Sequence, residues 1–226
     1  MTGGDGGAGP ERRPRVRLGA VAVLGALVAV LLGVLSAGES EPGVADARVR
    51  TVLEGAGPSW RNVALATDFL GEPVGAALLV GAAVTGCLLL RSPRAAVLVV
   101  AATGAAVGAT KVAKPLVGRT IHDGHLAYPS GHTAFLTAFV LALALIAAGR
   151  RGLGGPAGTS LVLAAALLAG AAMGWAQVVL GSHYPTDTIG GWCTALAVTP
   201  PTAWFLNRPH ASRQNPVPTT PTPNDR

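Results

Sequence analysis

Six stretches of the chain carry no charged residue: Leu18–Gly38, Pro73–Leu90, Ala95–Thr110, Thr133–Gly149, Leu161–Leu180 and Thr188–Leu206. Each is about the length a helix needs to cross a bilayer, roughly 20 residues at 1.5 Å per residue. They are apolar on all sides, whereas helices buried in a soluble bundle usually keep one polar face. The pattern predicts an all-α, polytopic membrane bundle of six helices, forming one membrane domain over residues 18–206. Ala95–Thr110 is short, and Lys111 can snorkel to the interface and let that helix run on. Pro200 and Pro201 are expected to kink or end the last helix. Residues 1–17, rich in Gly, Pro and Arg, and residues 207–226, rich in Pro, Thr and Asn, read as disordered tails. Residues 39–72 read as a loop of mixed charge.

Composition strengthens this picture. Half of the 226 residues are hydrophobic and 12% are charged, about half the charge content of an average soluble domain. With the N-terminus in the cytoplasm, 11 Lys and Arg residues fall inside and 6 outside, as the positive-inside rule requires. Both termini are thus expected in the cytoplasm, with segments 39–72, 111–132 and 181–187 on the outer face. The formal charge of +6 is then a topology signal. A nucleic-acid partner is excluded, since no basic stripe with interleaved aromatics is present. The first span follows an Arg-rich stretch, as a secretory signal does, but its apolar run is too long for a signal core. Cys87 and Cys193 lie within apolar spans, show neither metal spacing nor a disulfide framework, and read as small buried hydrophobes.

The histidines carry the chemistry. His122, His125, His132 and His183 all fall in the outer segments or at outer helix ends, together with Lys114, Arg119 and Asp187. Ionisable groups at membrane depth are expensive and read as functional. In His183-Tyr-Pro-Thr-Asp187, Pro185 suits the first turn of a helix. The Asp187 carboxylate can then hold one ring nitrogen of His183 and leave the other as base or nucleophile. In Pro129-Ser-Gly-His132, Gly131 permits close approach of a ligand, and the start of a helix favours phosphate. Ser130 adds a donor, and His132 stands next to it as a proton donor.

Lys114-Pro-Leu-Val-Gly-Arg119, Pro129-Ser-Gly-His132 and His183-Tyr-Pro-Thr-Asp187 resemble, in order and spacing, the three signature blocks of the type 2 phosphatidic acid phosphatase (PAP2) family. The resemblance covers roughly residues 58–206. It implies a six-helix membrane core like that shared with the haloperoxidases. It also implies metal-independent, cofactor-free hydrolysis of a lipid phosphate or diphosphate. By this resemblance His183 attacks phosphorus to form a phosphohistidine, Asp187 orients it, and His132 protonates the leaving oxygen. Lys114, Arg119, Ser130 and the Gly131 amide hold the phosphoryl oxygens.

Two family positions differ. The first block usually has Arg-Pro where this chain has Ile121-His122, and the third usually has Ser-Arg where this chain has Ala176-Gln177. Two phosphate-binding arginines are therefore absent, with Gln177, His122 and His125 as auxiliary donors in their place. A charged bidentate contact is worth several kcal/mol in such a transition state. The alternative reading is accordingly a weakened or inactive relative that binds or carries phosphorylated lipids. A metal-dependent hydrolase built on the four outer histidines lacks a His-x-x-x-His or Cys pair. A Ser130–His183–Asp187 acyl hydrolase lacks a Gly-x-Ser-x-Gly elbow.

Overall fold

The computed structural model describes residues 12–208 apart from 54–56 and 123, with side chains from Val16 onward. Its helices are α1 (Arg12–Leu35), α2 (Val44–Leu53), α3 (Pro58–Phe69), α4 (Pro73–Leu89), α5 (Pro93–Val117), α6 (Gly131–Arg150), α7 (Gly155–Val179) and α8 (Pro185–Leu206). A two-stranded antiparallel hairpin, β1 (Thr120–Ile121) and β2 (His125–Leu126), joins α5 to the α6 entry and pairs Thr120 with Leu126.

All six charge-free stretches lie largely within helices, and the protein is an all-α multi-pass membrane protein. Proline opens α3, α4, α5, α7 and α8 within their first two residues. Its fixed φ suits the helix start, and its missing N–H removes a donor that would have no partner there. Helices α1, α5, α6 and α7 are each long and apolar enough to cross a membrane, and α3 with α4, bent by 59° at a short break, together have the length and composition of a broken span or a re-entrant loop. Helix α8 has 22 residues but is rich in Gly, Thr and Pro. It lies against α1, α5 and α6, where small residues serve packing better than bulk.

Three expectations are corrected. Segment 39–72 is not a loop: it holds α2 and α3. Of the kink or end expected at Pro200 and Pro201, the end does not occur: helix α8 runs through both prolines to Leu206. Helix α1 begins at Arg12, inside the stretch expected to be disordered; the rest of both expected tails, 1–11 and 209–226, lies outside the described residues.

Helix α6 is the axis of the bundle. Its apolar window is 61% buried against 17% for α1, and it packs on α5, α7 and α8. Alanines make these contacts: Ala106 of α5, Ala134 and Ala138 of α6 and Ala195 of α8 form one fully buried cluster. Short side chains let the backbones approach, which is how helices associate where no hydrophobic force separates protein from lipid. Helix α8 also approaches the α6 entry closely. A Cβ on Gly190 would overlap the Tyr128 ring, and one on Gly191 would overlap the Ser130 carbonyl.

Candidate active site

The ends of α1, α5 and α7, the starts of α6 and α8, the hairpin, α2 and α3 gather at one end of the bundle. That end holds the three signature blocks. The second and third are joined through their backbones: the Ser130 N–H donates to the Asp187 carbonyl at 2.9 Å. Glycines 190 and 191 make this bond possible.

His183 is 8% exposed and lies just before α8. Its Nδ1 faces Asp187 Oδ2 at 3.6 Å, longer than a formed hydrogen bond and short enough to close by a small rotation of the ring. Burial holds the imidazole below its ordinary value, opposed by Asp187 and reinforced by the charges of Lys114 and His132. Burial thus favours the unprotonated ring.

Asp187 is fully buried and multiply held. Its Oδ2 accepts from the Tyr184 N–H at 2.9 Å, and its Oδ1 accepts from Arg119 at 2.7 Å. Arg119 is itself 2% exposed. Its other terminal nitrogen donates to Asp46 Oδ2 at 2.8 Å, and Thr186 Oγ1 accepts a further bond at 2.6 Å. The guanidinium expected in the phosphate cradle is thus taken up by two carboxylates and a hydroxyl. Lys114 is different. It is half-buried, with its ammonium donating to the Leu126 carbonyl at 2.6 Å, and its charge acts on both His183 and Asp187.

Ser130 caps α6, and its Oγ accepts from the Thr133 hydroxyl at 3.1 Å and the Thr133 N–H at 3.4 Å. Its oxygen is therefore engaged within the cap, unlike the nucleophile of an acyl hydrolase. A Cβ on Gly131 would come no nearer than 3.6 Å to Thr110 Oγ1, so protein packing does not demand glycine there and the open face is left for a ligand.

His132 sits beneath the elbow between α3 and α4, where a Cβ on Gly71 would overlap its ring. Its Nε2 lies 3.5 Å from Glu72 Oε1 and 3.7 Å from Asp68 Oδ1. Gln177, 1% exposed, donates its amide to Asp68, so this residue stands behind the α3 carboxylate and not as a free donor. His122 and His125 are exposed on the hairpin turn, His125 Nδ1 facing the His122 carbonyl at 3.1 Å; neither is among the groups whose charge acts on His183. Among the described residues one group could hold a metal ion: Asp68, Glu72 and His132, whose ligand atoms lie within 4.8 Å of one another. The four outer histidines do not form such a group.

Asp46, Asp68 and Glu72 are the residues the sequence reading missed. Segment 39–72 holds six acidic residues, and no spacing marks these three out or pairs them with the later cationic and histidine blocks.

The model of the PAP2 superfamily matches residues 95–210, just over half of the chain, and the protein belongs to that superfamily. A solved structure with the same fold is the transmembrane PAP2-type phosphatidylglycerolphosphate phosphatase from Bacillus subtilis, at TM-score 0.61 and 17% identity, covering 82% of this chain and 94% of that one. No curated protein matches the chain.

Proposed function

We propose that the protein is a membrane phosphatase that hydrolyses a lipid phosphate monoester or diphosphate through a phosphohistidine, without a metal, at the outer face of the membrane. The observation that carries this reading is the buried His183 facing Asp187 at 3.6 Å, with His132 and Lys114 close enough to act on it electrostatically. In the first step the free ring nitrogen of His183 attacks phosphorus. The N–P bond forms, the bond to the leaving oxygen breaks, and His132 gives that oxygen its proton. In the second step water attacks phosphorus, His132 takes the water proton, and the N–P bond breaks to release phosphate. Lys114 and the N–H groups opening α6 balance charge on the phosphoryl oxygens. Arg119 positions Asp187 and leaves the cradle to the others.

A lipid substrate fits two apolar cavities beside this end of the bundle. One, about 450 Å³, lies between α1 and α5 and reaches Tyr128 and Pro129. The other, about 510 Å³, lies against Pro185 and Thr188. Both have the size of ligand pockets. The outer location rests on the distribution of basic residues.

The test is phosphate release by the full chain in detergent from a panel of phosphatidic acid, phosphatidylglycerol phosphate and a polyprenyl diphosphate. Release from at least one, abolished by His183→Ala, is expected; equal release by that variant would reject His183 as nucleophile. The engagement of Gln177 by Asp68 favours a second reading, a lipid-phosphate binder without turnover. It predicts binding of the same lipids with no release from any of them.

A further inference from the structure

We infer that Asp46 of α2 is a positioning residue for the catalytic dyad, holding Arg119 so that one oxygen of Asp187 stays available to His183. This rests on the reading of His183 as nucleophile. Asp46 lies outside residues 95–210, to which the family model extends.

The geometry is a set of bonds around a single guanidinium, whose two terminal nitrogens are engaged while Nε has no partner. Arg119 presents one terminal nitrogen to Asp187 Oδ1 and the other to Asp46 Oδ2. A guanidinium prefers to meet a carboxylate with two parallel bonds. Here its two terminal nitrogens are divided between Asp187 and Asp46, so that terminal pair is not given to Asp187. Asp187 therefore gives Arg119 only Oδ1, and Oδ2 remains turned to the Tyr184 N–H and the His183 ring. Without the Asp46 charge, Arg119 is free to take both oxygens of Asp187 and draw Oδ2 off the imidazole.

Asp46 also fastens the helix that carries the dyad. Its Oδ1 accepts from the Thr186 N–H at 2.9 Å, and its Oδ2 accepts from the Thr186 hydroxyl at 2.8 Å. An anion at these first-turn N–H groups is where the helix dipole favours it. The chain leading to α2 is tied to both cationic and histidine blocks. Gly38 N–H donates to Val117, Thr120 N–H donates to Glu39, and the Tyr184 hydroxyl donates to Ser40. Arg119 stacks over the Tyr184 ring at 4.6 Å. Asp46 is 2% exposed, which a surface charge serving only solubility would not be.

The experiment compares wild type, Asp46→Asn, Thr186→Val and His183→Ala as full chains in detergent, using the panel lipid with the highest release. Asp46→Asn keeps the shape and removes the charge. It is expected to lower kcat at least tenfold with KM within twofold. The acid limb of kcat/KM should move to lower pH, since the groups facing His183 would then be Lys114 of α5, His132 of α6 and an Asp187 more fully claimed by Arg119. Thr186→Val, an isosteric change, removes one of the Asp46 bonds together with the Arg119–Thr186 bond and should lower kcat several-fold. Wild-type kcat and pH profile in both variants, with His183→Ala inactive, would overturn the role of Asp46 alone. Full activity in His183→Ala, or no release by wild type from any lipid of the panel, would overturn the nucleophile assignment and this inference with it. A loss in KM alone would assign Asp46 to binding and overturn its positioning role.

Discussion

The backbone N–H of Ser130 donates to the carbonyl of Asp187, 57 residues further along the chain, at 2.9 Å. This bond sets the start of α6 against the start of α8 and so places His132 and Lys114 relative to His183. It depends on Gly191, whose missing side chain makes room for the Ser130 carbonyl. Gly191→Ala should therefore separate the two blocks, lowering phosphate release at least tenfold and reducing the melting temperature. Gly104→Ala in α5 is the control, since nothing lies within 4 Å of a Cβ there; it should gain about 0.5–1 kcal/mol from helix propensity. Equal activity and melting temperature in the two variants would contradict the role given to this contact.

Lys114 and Arg119 belong to the same block but should fail in different ways. Arg119→Ala leaves Asp46 and Asp187 buried without their counter-charge, and removing one partner of a buried pair costs about 3–5 kcal/mol. Its main signature is thus a large loss of thermal stability in detergent. Lys114 is half-buried, and its bond is to a single carbonyl. Lys114→Ala should keep a melting temperature near wild type while phosphate release falls on the order of a hundredfold. Stable and inactive Arg119→Ala would return Arg119 to the phosphate cradle.

The contrast between these two residues marks how far the sequence could be read. The helices were legible because apolar content over about 20 residues leaves few alternatives in a membrane. His132, His183 and Asp187 were legible because each stands in a short motif beside its own helix start. Arg119 was legible as a charge but not as a buried one, because its partner Asp46 lies 73 residues upstream, and no periodicity connects them. Asp68 and Glu72 were hidden for the same reason: their meeting with His132 is made by the α3–α4 elbow, a tertiary feature. The adjacent Gly190 and Gly191 did carry a usable signal. Two glycines inside a helix cost roughly 1 kcal/mol each against alanine, and such a pair marks a close backbone approach.

The pH dependence follows from the burial of His183. Its imidazole is held below the ordinary value, with burial the largest cause. Only the unprotonated ring can attack phosphorus, so kcat/KM should be flat through neutral pH and fall as pH drops through the depressed value. The acid limb should lie below the ordinary imidazole range. Lys114 is a positive neighbour that depresses His183 further, so the residual activity of Lys114→Ala should show its acid limb at higher pH than wild type. A limb that does not move, or moves down, would mean that another group limits the reaction at low pH.

The last prediction concerns the cluster of Asp68, Glu72 and His132, which brings three ligand atoms within 4.8 Å and so raises the question of a metal. His132 Nε2 faces both carboxylates. The proposed mechanism needs His132 to give and take a proton at a ring nitrogen, and none of its steps uses a cation. The cluster should therefore work without a metal, with the carboxylates of Asp68 and Glu72 facing Nε2 at 3.7 and 3.5 Å and with Gly71 packed against the ring. Phosphate release should persist within about twofold after exhaustive chelation and should not rise when magnesium, calcium or zinc is added back. Gly71→Ala, which displaces the ring without touching a charge, should lower kcat under both conditions. If chelation abolished activity and a divalent ion restored it, the chemistry would belong to a cation held by these three residues, and His132 would be its ligand instead of the proton donor.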